Sequence, residues 1–226
     1  MNILIVVNAR IPTEKAHGLQ IVKMCEAFSR LGHQVELIVP KRRNVHTQSV
    51  FAFYNVKEVF RITYLKIVEL ASFKYTMIFR IAAVSYLVSL FIYVRKKDVD
   101  AIITRDILVA YLLCRKYKVF YEMHDFPERY LRLWRYLLSK PAGIIVTNQW
   151  KREEVIKKFG ISGSKLLCAP NGFDPALFHK ETTQNNSIRK ELGFKESDFV
   201  LGYAGMLKTM GMDKGIGLLL DAMTHL

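Results

Sequence analysis

The sequence is short of acid. It carries 34 Lys and Arg against 20 Asp and Glu, a formal net charge of +14 and a pI near 9.7. Such an excess points to an anionic partner: nucleic acid, an acidic membrane surface or a phosphorylated substrate. Cysteine is scarce too. Cys25, Cys114 and Cys168 stand far apart, with no CxxC pair and no metal-ligand spacing. That excludes a disulfide framework and predicts buried, reduced thiols in a cytoplasmic protein. The N-terminus lacks the basic region of a signal peptide and runs straight into strand-like Met1 to Val7. No apolar run is long enough for a membrane span. The longest uncharged stretch, Ile81 to Val94, falls short of the roughly 20 residues required, so a buried helix is expected there.

Several motifs are missing as well. No GxGxxG follows the first strand, which leaves a nicotinamide-binding site unsupported. There is no GxxxxGK[ST], no GxSxG and no HExxH. No nucleic-acid motif accompanies the charge, so no nucleic-acid partner is expected.

The composition that is present, 51% hydrophobic and 12% aromatic, belongs to a folded chain with one well-filled core, or one domain and part of another. Met1 to Val7 reads as a buried parallel strand. A helix opening at Gly18 has Ile21, Val22, Cys25, Phe28 and Leu31 on one face, with Gly32 as its terminator. Gln34 to Val39 is a second strand, completing a βαβ unit. Further strands are expected at 99–104, 119–122, 142–147 and 165–168. Helices are expected at 107–117, 127–139 and 149–159. The fold class is α/β: a Rossmann-like parallel sheet with helices on both faces. Residues 1–180 form this domain. Residues 181–197 form a polar linker with a short helix. Residues 198–226 restart the pattern with a strand at 199–204 and a helix from Lys214, as the first βα unit of a second Rossmann-like domain, truncated; the alternative is that this unit completes the first sheet.

In open α/β sheets ligands bind at the C-terminal ends of the strands. Gly18 sits there at a helix N-terminus, where free N–H groups and the dipole favour an anion, though a helix-opening glycine is equally at home as structure. Arg105 and Asp106 follow the 99–104 strand. His124 follows the 119–122 strand, placed for proton transfer or for a hydrogen bond to a sugar hydroxyl, or simply as a structural histidine. Asn171 and Gly172 read as a turn tolerant of positive φ. Lys214 lies at a helix N-terminus, a place that suits a lysine when an anion is bound nearby.

In order along the chain, these segments form a pattern. Arg10 to Gly18, Gly32-His33-Gln34-Val35, Asp100 to Asp106, Tyr121 to Asp125, Pro170 to Pro175 with Phe178, and Gly202 to Gly205 with Asp213-Lys214-Gly215 together resemble family 4 of the retaining glycosyltransferases. The resemblance implies a GT-B fold of two facing Rossmann-like domains, acceptor side first. It implies transfer of a sugar from a nucleoside-diphosphate donor, as substrate, to an acceptor hydroxyl, lipid-linked or on a polysaccharide, with no cofactor and no bound metal. Gly18 would approach the donor diphosphate, His124 would be the active-site histidine, and Lys214 would neutralise the diphosphate as it gains charge.

Two departures matter. Met206 occupies the place of the family's usual arginine. No two glutamates are spaced eight apart, whereas the family's donor domain carries such a pair. The alternative is therefore a non-catalytic acceptor-binding or membrane-associated module. The charge is concentrated: Lys57 to Lys97 and Arg129 to Lys158 each hold eight basic and two acidic residues. Arg129 to Tyr136, with arginines interleaved among aromatics, suits either an anionic membrane at the inner face of the cytoplasmic membrane or a helix with its Leu/Trp side in the core.

Overall fold

In the computed structural model, residues 1–68, 75–173, 175, 185–195, 197–209 and 212–224 are described. The chain divides into two compact units, Met1–Gly172 and Phe173–Leu226.

The first unit is built on seven parallel strands: β1 (Asn2–Val6), β2 (Gln34–Pro40), β3 (Arg61–Leu65), β4 (Ala101–Thr104), β5 (Val119–Met123), β6 (Gly143–Val146) and β7 (Leu166–Cys168). Their order is β3-β2-β1-β4-β5-β6-β7. The apolar run of β1 is continuous because both of its faces are covered. Leu4 and Val6 enter one core, while Ile3, Ile5 and Val7 enter the other. In register, Ile3 lies beside Val35 and Ala101, and Ile5 beside Leu37 and Ile103.

Helices α1 (Ala16–Arg30) and α2 (Val50–Tyr54) cover one face. Helices α3 (Tyr75–Val94), α4 (Ile107–Leu113), α5 (Leu131–Leu138) and α6 (Gln149–Phe159) cover the other. Gly32 ends α1 with φ +83°, as its spacing foretold, and the Gly32 N–H bonds the Ser29 carbonyl. Tyr86, fully buried, pins α3 to the sheet by sharing its hydroxyl between the carbonyls of Val7 and Ile38, each at 3.2 Å.

Several expectations need correction. Strand β3 was not foreseen. Its sequence RITYL mixes charge with apolar residues because it is an edge strand, and only Leu65 of the five is buried. Helix α3 is not a buried helix. Ala82, Tyr86, Leu90 and Val94 face the core, but Ile81, Val84, Val88, Phe91 and Ile92 are exposed. Among the described residues no helix is long and apolar enough to cross a membrane. Helix α5 starts at Leu131 rather than Pro127, because Tyr130 takes a left-handed conformation, φ 56°, at its cap. All three cysteines are free, but only Cys25 is buried; Cys114 and Cys168 are half-buried.

The second unit holds α7 (Asn185–Glu191), a two-stranded antiparallel hairpin of β8 (Lys208–Thr209) and β9 (Met212–Asp213), and α8 (Ile216–Met223). Residues 199–204, expected as a strand, carry none. A parallel strand needs neighbours to satisfy its backbone, and this segment pairs with none among the described residues. Its Phe199, Val200 and Leu201 are exposed. Residues 181–184 and 196 of the polar linker expected at 181–197 fall outside the described residues, as do Asp174 and Phe178.

Candidate functional site at the strand C-termini

All seven strands are parallel, so the loops that follow them share one edge. Between β1 and β4 the connections diverge to opposite faces: β1 leads to α1 and β4 leads to α4. Such a switch point opens a crevice between the two loops. His17 and Gly18 border it after β1, and Arg105 and Asp106 border it after β4.

The centre of this edge is a charged array. Glu122, only 6% exposed, accepts from Arg105 Nε at 2.9 Å and Arg105 Nη2 at 3.0 Å. The same carboxylate meets His124 Nε2 at 2.7 Å. Strand alternation explains the meeting, because residues 122 and 124 project from the same side of β5 and its extension. Burial opposes ionisation of Glu122, but the bonds from His124 and Arg105 outweigh it and hold the carboxyl below its ordinary value. With Nε2 directed to Glu122, Nδ1 is the ring nitrogen of His124 available to a ligand. Arg105 Nη1 is buried with no hydrogen-bond partner in the structure.

His17 lies in the same field. Burial, then the charges of Arg105, Lys15 and His124, push its pKa below the ordinary histidine value. Lys151 reaches across from α6 to the His124 carbonyl and to Thr147 Oγ1, the latter at 3.1 Å.

Gly18 is the third residue of α1, because the helix begins at Ala16. Its N–H donates to the Lys15 carbonyl at 2.9 Å. The space its missing Cβ leaves is filled: an added Cβ would collide with the Tyr54 hydroxyl and lie 2.6 Å from Thr13 Cγ2. Tyr54 in turn grips Thr13, accepting from its N–H and donating to its carbonyl, both at 2.7 Å. The loop between β1 and α1 is thus braced from α2, and glycine at position 18 is what lets Tyr54 in.

The other expected site residues fall into place differently. Asp106 caps α4, its Oδ1 accepting from the N–H groups of Leu108 at 2.8 Å and Val109 at 3.3 Å. Asn171 is tied to α1 through Gln20. Neither Asn171 nor Gly172 has positive φ, contrary to the turn expected. Lys214 belongs to the second unit, where it is exposed one residue before the α8 cap, Gly215. No group of three or more His, Cys, Asp or Glu is arranged to hold a metal ion among the described residues.

Three residues of this edge had no role assigned from sequence: His17, Glu122 and Lys151. A glutamate embedded in the apolar strand VFYEM is a readable signal, since a buried carboxylate requires partners. Lys151 gave none, because its contact spans 27 residues of sequence.

A seven-stranded parallel sheet in the order described, with helices on both faces, defines an α/β protein of the Rossmann-like kind found in GT-B glycosyltransferases. The chain matches the profile of Glycosyltransferase Family 4 over residues 18–177, and it belongs to that family. Solved structures agree in fold. The sucrose-phosphate synthase of Thermosynechococcus elongatus aligns with a TM-score of 0.66 at 16% identity, over 100% of this chain and 60% of its own. The catalytic domain of starch synthase IV from Arabidopsis thaliana, bound to ADP and acarbose, aligns at 0.63 and 11% identity, over 99% and 66%. HepE from Anabaena, in complex with UDP, aligns at 0.59 and 13% identity, over 85% and 50%. No curated protein sequence matches. The chain therefore spans half to two-thirds of the length of these structures.

Proposed function

We propose that the unit Met1–Gly172 is the acceptor-side domain of a glycosyltransferase that moves a sugar, with retention, from a nucleoside diphosphate to an acceptor hydroxyl. The observation that supports this most directly is the array at the switch point, where Glu122 holds both Arg105 and His124. In this reading His124 hydrogen-bonds the transferred sugar through Nδ1. Glu122 is a positioning residue that fixes the ring. The unpartnered Arg105 Nη1 and the N-terminus of α1 at His17 and Gly18 give the edge the positive potential that a departing diphosphate requires. By the family resemblance Lys214 is proposed as a diphosphate-neutralising lysine of the second unit, and Asn171 as a substrate-binding residue of the first. Residues 198–226 would begin the donor-binding domain.

The acceptor is proposed to be lipid-linked or part of a glycan, and the enzyme to work at the inner face of the cytoplasmic membrane. The outer side of α5 supports this. Tyr130, Leu131, Leu133 and Tyr136 are exposed there beside Arg129 and Arg132. The plainer reading of α5 has support too, since Trp134, Leu137 and Leu138 pack into the core and Arg129, Arg132 and Arg135 are exposed; the exposure of Leu131 and Leu133 is what favours the membrane.

The test combines the chain with a separately expressed donor-binding domain of a Family 4 enzyme and a panel of UDP- and GDP-sugars. Release of nucleoside diphosphate dependent on His124 supports the proposal. If the combination neither binds nor consumes any nucleotide sugar, the transfer reading is wrong.

A further inference from the structure

Helix α3 is apolar on two opposite sides. Ala82, Tyr86, Leu90 and Val94 recur at spacing four and are buried. Ile81, Val84, Val88, Phe91 and Ile92 recur at three and four and face outward, with Val84 59% and Val88 54% exposed. At 100° per residue these five fall within a sector of roughly 100°, and at 1.5 Å per residue they form a ridge about 16 Å long. A helix that faces water normally places polar side chains there. A contiguous apolar ridge marks a surface that something else covers.

The charges around the ridge identify the occupant. Residues 75–94 contain no acid. Arg80 at one end and Arg95 and Lys96 at the other are all exposed. Arg95 lies over the Phe91 ring at 5.5 Å, so a cation sits directly against the ridge. Beside it a hollow of about 270 Å³ is lined by Leu65, Ser89, Ile92, Tyr93 and Lys96. An apolar strip with cations at its ends and no anions is complementary to a lipid surface with anionic headgroups. It is poorly suited to a second copy. Antiparallel pairing of two such helices would set Arg80 of one against Arg95 and Lys96 of the other.

We propose that the outer face of α3 lies on an anionic lipid surface, its ridge at the acyl boundary and Arg80, Arg95 and Lys96 at headgroup level. This rests on the membrane side of the function proposed above, not on the transfer chemistry. It assigns the contact to α3, whereas sequence pointed to α5.

The test is co-sedimentation of the full chain with phosphatidylcholine vesicles, with and without phosphatidylglycerol. The wild-type chain is expected to bind the anionic vesicles. Val84→Ser/Val88→Ser/Phe91→Ser should weaken that binding at least about tenfold through lost apolar contact. Arg95→Ala/Lys96→Ala should weaken it about tenfold at low salt and not at high salt. Unchanged far-UV circular dichroism establishes that the variants are folded. Wild-type-like binding by the triple variant overturns the proposal; if Leu131→Ser/Leu133→Ser then abolishes binding, the membrane reading survives through α5. Failure of the wild-type chain to bind either vesicle overturns both. A triple variant that converts a dimer to a monomer in sedimentation velocity, with vesicle binding intact, gives the ridge to a second copy. None of these outcomes depends on whether the protein transfers sugar.

Discussion

The two helical layers on the sheet solve the same interior problem and present different exteriors. Inside, they are alike: Ile21, Val22 and Cys25 of α1 are as fully buried as Tyr86, Leu90 and Val109 on the opposite side. Outside, they diverge. Across α1 and α2 the exposed large apolar residue is Leu19, and the helices hold Lys23 and Arg30 against Glu26. Lys23 and Arg30 both pair with that glutamate, at 3.4 and 2.8 Å. Across α3 to α6 the exposed set runs from Ile81 to Ile156, and the helices hold seven cations (Arg80, Arg132, Arg135, Lys151, Arg152, Lys157 and Lys158) against Glu153 and Glu154. Stability demands a filled core on both sides. It does not demand apolar residues or unbalanced charge in water on one side, and that surplus is what the membrane proposal accounts for.

If the interiors are equivalent, truncation should cost the same on either side. Tyr86→Ala, which also orphans the Val7 and Ile38 carbonyls, should lose about 4 kcal/mol in urea unfolding, and Ile21→Ala about 3 kcal/mol. A much smaller loss on the α3 side would mean that this layer is loosely docked, and its exposed ridge would then be a symptom of poor packing rather than a built surface.

The edge between the layers should break next. Glu122→Leu leaves Arg105 buried without its counter-charge and should cost about 3 kcal/mol. The pH dependence has a fixed sign. Glu122 titrates lower in the folded chain than in the unfolded one, so its contribution is complete above the unfolded carboxyl value and disappears as pH falls through the folded one. His17, also lowered, acts in the same direction at higher pH, with loss beginning as pH drops through the ordinary histidine range. Stability should therefore fall in two acid steps, and Glu122→Leu should shrink the lower one, which Glu122 shares with Glu26 and Glu36, both also held low by their partners. An unchanged lower step in that variant would place the acid sensitivity elsewhere.

Gly18→Ala comes third, at about 2 kcal/mol, because the added methyl must displace Tyr54 or Thr13. Tyr54→Phe/Gly18→Ala should recover part of this, since the hydroxyl is the nearest obstacle. Full cost in the double variant would show that Thr13, not Tyr54, sets the limit.

Much of this edge was legible in the sequence and some was not, for reasons that differ by residue. Strand β1 was readable because burial on both faces produces an unbroken apolar run, and α6 lies at the expected 149–159, where the structure shows Asn148 capping it and Gly160 ending it. Strand β3 was hidden by its edge position. The 199–204 segment carried the pattern of a strand without the neighbours that make one. His124 and Arg105 were singled out by their place after strands, while their partner Glu122 was passed over because strand position was read as core. Gly18 was expected to open α1 but is its third residue, and the reason for its smallness lies in Tyr54, 36 residues away. Helix α3 was misjudged because hydrophobicity by itself does not say which side of a helix faces protein.

The smallest effect separates the two exteriors most sharply. Val84→Ser/Val88→Ser removes methyl groups that are already more than half exposed, so the change in unfolding free energy should stay within about 0.5 kcal/mol. The substitutions touch neither Tyr86 nor the Lys97–Glu36 pair at 3.0 Å that holds the C-terminal end of α3 to the sheet. On α1, Leu19→Ser should be equally mild, and there it should leave vesicle binding unaltered as well. The pair of measurements matters more than either alone. A polar residue that is neutral for folding and damaging for binding identifies a surface kept apolar for what it meets. If Val84→Ser/Val88→Ser instead costs as much as a core truncation, the ridge is packed against something in the folded chain, and the contrast between the two layers dissolves.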